Sequence, residues 1–142
     1  MTYTATATMK VKAPLARVWA ALTEPAMVKQ YFFGTDLVTD WKVGGALFFR
    51  GEWEGKVYED RGTVKSFEPQ RSFSYDYWSN MSGEPDVVER RALIRFDLSE
   101  SGGVVEVKVT QSNMPTQARA DDSAKNWPVV LEGMKRLVEA AR

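Results

Sequence analysis

From Thr35 to Ser112 the chain alternates apolar and polar residues with a period of two, interrupted only by short joins. No other feature constrains the fold as much. Successive side chains of a strand point to opposite faces, so the pattern predicts strands with one apolar face. The strand segments are Thr35–Thr39, Ala46–Trp53, Lys56–Phe67, Ser72–Trp78, Val87–Leu98 and Val104–Ser112. The joins carry turn chemistry at Gly44-Gly45, Glu54-Gly55, Glu68-Pro69, Ser82-Gly83-Glu84-Pro85 and Ser101-Gly102-Gly103. Joins this short link antiparallel neighbours, because a parallel pair needs a long crossover.

The flanks complete the order. Thr2 to Val11 reads as a further strand. Pro14 suits the first turn of a short helix bearing Val18, Trp19 and Leu22. Thr23 is the expected N-cap of a second helix that begins Glu24-Pro25, carries Met27, Val28, Tyr31 and Phe32, and stops at Gly34. At the other end Trp127, Val130, Leu131, Met134, Leu137, Val138 and Ala141 recur at helical spacing, in a helix expected from about Gln117. Pro128 either kinks that helix or starts its main part. A curved sheet with one apolar face must cover it, and the last helix is the only long amphipathic element available. The expectation is one α+β domain over residues 1–142. In it, a curved antiparallel sheet of about seven strands wraps around a long C-terminal helix, with two short helices after the first strand. A chain of 142 residues buries roughly 68–70% of its unfolded surface, enough for a core and for a cavity within it.

Composition removes several function classes. The 19 basic and 19 acidic residues cancel, so no broad attraction to nucleic acid or anionic membrane is expected. Histidine and cysteine are both absent, which excludes Ser-His-Asp and thiolate nucleophiles and most zinc sites. No carboxylate spacing resembles a calcium loop, and Gly44-Gly45 lies in no phosphate-binding pattern. No cofactor and no metal is expected. The N-terminus alternates instead of forming an apolar run, and no stretch approaches the roughly 18 apolar residues of a membrane span. A soluble, cytoplasmic protein is the expectation.

Asp, Glu, Arg, Lys and Tyr remain for chemistry, and alternation sorts them by face. Leu47, Phe49 and Trp53 share one face of their strand, opposite Phe48, Arg50 and Glu52. Tyr58, Asp60, Gly62 and Val64 share another, opposite Glu59, Arg61 and Lys65. Phe73, Tyr75 and Tyr77 oppose Ser74, Asp76 and Trp78. Ala92, Ile94 and Phe96 oppose Arg91 and Arg95, and Val105, Val107, Val109 and Gln111 oppose Glu106 and Lys108. The apolar sets build one concave face. Asp60 is the carboxylate that falls among them; it either touches a ligand or does acid–base work, or it is a strand-end residue near solvent. A one-residue bulge would move it out. Tyr58, Tyr75 and Tyr77 bring hydroxyls that either orient a ligand or reach the surface. Trp127, Leu131 and Met134 on the last helix are core or pocket wall. With Phe32, Val64 and Phe96, these residues form the expected ligand-facing set. Arg50, Glu52, Arg91 and Arg95 are expected as solvated charges on the convex face, where Phe48 and Trp78 offer apolar area for a dimer contact.

Five stretches carry a family resemblance: APLARVWAALTEP from Ala13, YFFGT from Tyr31, TDWKVGG from Thr39, GKVYEDRGTVKSFEPQRSFSYDYW from Gly55 and NWPVVLEGMKRLVE from Asn126. In this order and spacing the chain resembles the START-like (SRPBCC, helix-grip, birch-pollen-allergen-like) superfamily, in the branch named for the activator of the heat-shock chaperone ATPase. The resemblance implies seven strands gripping the long helix, with a pocket between them. It implies a small hydrophobic or lipid-like ligand in that cavity, or alternatively a chaperone partner whose ATPase the domain activates. A third alternative is a cyclase or dehydratase using Asp60 with Tyr75 or Tyr77. Monomer and homodimer both remain open.

Overall fold

A computed structural model describes residues 2–32, 34–80 and 83–140. Ser82, Ala141 and the side chain of Trp53 lie outside the described residues. The elements are β1 (Tyr3–Val11), α1 (Leu15–Thr23), α2 (Pro25–Tyr31), β2 (Asp36–Thr39), β3 (Ala46–Trp53), β4 (Lys56–Glu68), β5 (Ser72–Ser79), β6 (Ala92–Ser101), β7 (Val104–Met114) and α3 (Gln117–Ala140). The seven strands form one sheet in the order β1-β7-β6-β5-β4-β3-β2, every pair antiparallel. β1 and β2 are its two edges, so α1 and α2, which join them, must bridge the sheet from one edge to the other. α3 lies along β1 and β7 and meets both short helices. This is the helix-grip architecture of an α+β domain.

The core follows the alternation. Leu47, Phe49, Phe73, Tyr75, Ile94 and Phe96 are buried on the inner face, as are Val105, Val107 and Val109 of β7. Val130, Leu131, Met134 and Val138 of α3 press against them. α3 runs unbroken through Pro128, whose missing N–H leaves one carbonyl of the preceding turn without its helical donor. Its approach to α2 depends on Gly133, where an added Cβ would lie 3.2 Å from the Cβ of Tyr31.

Four local expectations change. Thr23 does not cap α2: its hydroxyl donates to the Trp19 carbonyl (2.8 Å), and Glu24 occupies the cap position before Pro25. A residue preceding proline is held extended, which selects Glu24 for that place. β6 begins at Ala92, because Val88–Arg90 forms a short 3-10 turn. Asn113 Nδ2 draws the Glu89 and Arg91 carbonyls out of the ladder, at 3.1 and 2.9 Å. A bulge at Lys65 shifts the β4–β5 register between Val64 and Ser66 and turns Phe67 inward opposite Phe73. The bulge follows Asp60, which therefore keeps its inner-face position.

The fourth change is on the convex face. Arg91 is not a solvated charge: its side chain is 11% exposed and binds Asp86 (2.7 Å) and Asp76 (3.0 Å). Asp76 is itself 2% exposed and accepts a further bond from the Thr63 N–H at 2.7 Å. A buried carboxylate needs such partners, and they tie the β5–β6 connection to the sheet. Phe48 and Trp78 are half-buried beneath the guanidinium groups of Arg50 and Arg61, 4.6 and 5.1 Å from the ring centres.

Candidate functional site

Among the described residues, two spaces lie between α3 and the inner face. The smaller, about 20 Å³, is surrounded by Phe73, Phe96, Trp41 and Leu131 and is a packing void. The larger, about 200 Å³, is walled by Phe32, Phe49, Tyr75, Tyr77, Trp127 and Val130. It reaches solvent beside Asn126, an exposed residue of α3. A space of this size holds several waters or a compact organic molecule.

Its walls are mutually braced. Phe32, just past α2, stacks on Phe49 (5.7 Å between centres) and meets Trp127 edge-on (6.1 Å). Phe49 touches both Tyr75 and Tyr77. Such offset and edge contacts hold rings in defined orientations.

Gln111, Tyr75 and Tyr77 place polar groups in this wall on the sheet side, and Ser123 and Asn126 do so on the α3 side. The Trp127 indole N–H donates to Gln111 Oε1 at 2.8 Å. An indole nitrogen can only donate, so this contact fixes which end of the Gln111 amide faces the helix. Nε2, a donor, is left over on a side chain that is 8% exposed and lines the cavity. The buried Tyr75 hydroxyl bonds no described residue, and burial pushes its pKa upward, so it stays a neutral donor. The Tyr77 hydroxyl donates to Asp60 Oδ2, which leaves its oxygen able to accept.

Asp60 lies behind Tyr77, 8% exposed, and its Oδ1 meets no hydrogen-bond donor among the described residues. Desolvation raises its pKa above the usual 3.8, partly offset by Tyr77, Ser79 and the Asn80 N–H. Tyr77 is raised well above its usual value by burial and by the adjacent Asp60.

The structure thus brings Phe32, Phe49, Tyr75, Tyr77 and Trp127 of the expected set to one cavity, with Asp60 one bond behind. Phe96 and Leu131 border the small void. Val64 and Met134 are fully buried packing residues. Tyr58 is half-buried over Gly51. Alternation alone did not single out Gln111, Ile94, Val130, Ser123 and Asn126, which complete the lining. Gln111 had a legible signal: it is the amide on an inner face otherwise made of valines. Among the described residues no cluster of three or more acidic side chains is placed to hold a metal, and no helix is long and apolar enough to cross a membrane.

The family model described as "Activator of Hsp90 ATPase homolog 1-like protein" matches residues 12–139, and the chain belongs to that family. Among solved structures, ChR145 from Cytophaga hutchinsonii is 37% identical over 97% of this chain and 94% of its own, with a TM-score of 0.83. The Aha1 dimer from Colwellia psychrerythraea is 20% identical, covers 96% of both chains and has a TM-score of 0.74. DynU16, from the dynemicin biosynthetic locus, is 18% identical over 98% of this chain and 48% of its own, with a TM-score of 0.80. A comparison with curated proteins found no match.

Proposed function

We propose that this member of the Activator of Hsp90 ATPase homolog 1-like family binds a small, mostly apolar molecule between α3 and the sheet. The observation that carries the reading is the cavity of about 200 Å³, walled by braced aromatic rings and open beside Asn126. Ligand pockets commonly measure about 300–1,000 Å³, so this one suits a molecule of one or two rings better than a long acyl chain. Two donors, on Gln111 and Tyr75, and one acceptor, on Tyr77, orient it. Val130 borders both spaces, so Val130→Phe fills the site from the helix side. Naphthalene-type reporters should titrate to one site per chain. Val130→Phe should weaken them at least tenfold while the melting temperature stays within a few degrees. A panel of compact apolar compounds that yields no saturable binding overturns the reading.

Family membership itself favours a second reading, in which the domain stimulates a heat-shock chaperone ATPase. The Colwellia structure, named as a dimer, likewise makes a homodimer the alternative to a monomer. Chaperone ATPase rates measured with saturating protein test the former: an unchanged rate removes it. Sedimentation equilibrium decides the latter.

A further inference from the structure

We propose that the ligand is an aromatic or compact apolar carboxylate, with its ring in the cavity and its carboxylate directed past Gln111 to Arg90. This deepens the reading above and rests on it. Beyond Tyr77 and Gln111 lies a second space of about 120 Å³, and those two side chains line both spaces. Arg90 and Arg119 border it, together with Glu84. Arg119 pairs with Glu84 at 3.3 Å, which leaves the pair neutral and Arg90 as the uncompensated charge. No described acidic group ion-pairs with Arg90.

The backbone at Arg90, whose side chain is exposed, is also held in place. Asn113 donates to the carbonyls on either side of it, those of Glu89 and Arg91, and the Arg91 guanidinium is anchored on Asp86 and Asp76. Asn113 has φ of 61°, a left-handed conformation that Asn tolerates, and it sits two residues beyond Gln111 on β7. One strand therefore supplies the buried amide donor and fixes the backbone that carries the cation. A charge-assisted bond to a guanidinium is about twice as strong as a neutral one, which favours a carboxylate over an uncharged oxygen at this end.

Asp60, the carboxylate behind the cavity, is carried by a different strand from Gln111. Asp60 is on β4 and Gln111 on β7, three strand spacings apart, or about 14 Å across the sheet. Asp60 is already bonded by Tyr77, and the ring spans the aromatic wall between it and Gln111.

The test compares two probes of the same shape, naphthalene-2-acetate and naphthalene-2-acetamide, by isothermal titration calorimetry at pH 7 and low salt. The acetate should bind about tenfold tighter than the acetamide, and added salt should narrow the gap. Arg90→Gln should weaken the acetate to the level of the acetamide and leave the acetamide unchanged. Gln111→Leu should weaken both. Equal affinity of the wild type for the two probes overturns the carboxylate assignment while leaving the cavity reading standing. Failure of both probes to bind overturns the two together. A preference for acetate that survives Arg90→Gln also overturns the assignment to Arg90.

Discussion

The two ends of the space between α3 and the sheet use the same aromatic vocabulary with opposite results. At the closed end Trp19, Trp41, Phe67 and Phe73 pack centre to centre at 4.9–5.5 Å, and the void that Trp41 and Phe73 border is only about 20 Å³. At the open end Phe32, Phe49, Tyr77 and Trp127 meet at 5.7–6.1 Å and leave about 200 Å³. The closed end gains a ring from the Lys65 bulge, which turns Phe67 inward, and another from Trp41. Trp41 accepts a left-handed backbone (φ 58°) so that its indole can bond the Thr23 carbonyl at 2.8 Å and cap α1. The open end has polar groups where further rings would have to sit. Apolar area concentrated at one end supplies stability, and its interruption at the other leaves open space.

The contrast breaks most visibly by truncating one ring at each end. Phe73→Ala should cost about 3–5 kcal/mol in urea denaturation, because the side chain is almost fully buried among fixed neighbours. Phe32→Ala, half-buried at the cavity edge, should cost far less stability yet weaken a bound naphthalene probe. Similar stability losses in the two variants would erase the distinction.

A smaller effect is expected where the two ends join. Gly62 lies between Asp60 and Val64 on β4, and an added Cβ would run into the Asp76 carbonyl oxygen. Gly62→Ala should lower the stability read from urea denaturation by about 1–3 kcal/mol and displace β5. A midpoint equal to wild type would mean that β4 and β5 are looser there than the ladder implies.

The smallest effect is electrostatic and specific to the open end. Burial raises the Asp60 pKa in the folded state above the usual 3.8. The folded protein then holds this proton more tightly than the unfolded chain, so its ionisation costs stability. That cost is absent below the unfolded value, grows as pH rises from about 3.8 through the raised folded value, and is constant above it. Asp60→Asn still accepts the Tyr77 hydroxyl and should be more stable than wild type at pH 7, with the difference closing near pH 3. A difference independent of pH would show that desolvation of the carboxylate is not what separates the two proteins.

Much of this was legible in the residues. Period-two alternation placed Phe49, Tyr75, Ile94 and Phe96 on the inner face, and helical spacing placed Trp127, Val130 and Leu131 opposite them. The same alternation placed Asp60 inward. It could not identify Arg91 as buried, because its partners Asp86 and Asp76 are brought to it by a turn and by a neighbouring strand. Nor could it separate Val64 and Met134, which are filled core, from Tyr75 and Trp127, which border empty space.

The chain by itself determined the type and order of its elements, because periodicity and turn chemistry act over a few residues. Only the tertiary structure decided the bulge at Lys65, the pairing of Gln111 with Trp127 and the place of Arg90 beside them. A cavity is the difference between the space enclosed by distant segments and the volume of the side chains that fill it, and no local pattern encodes that difference.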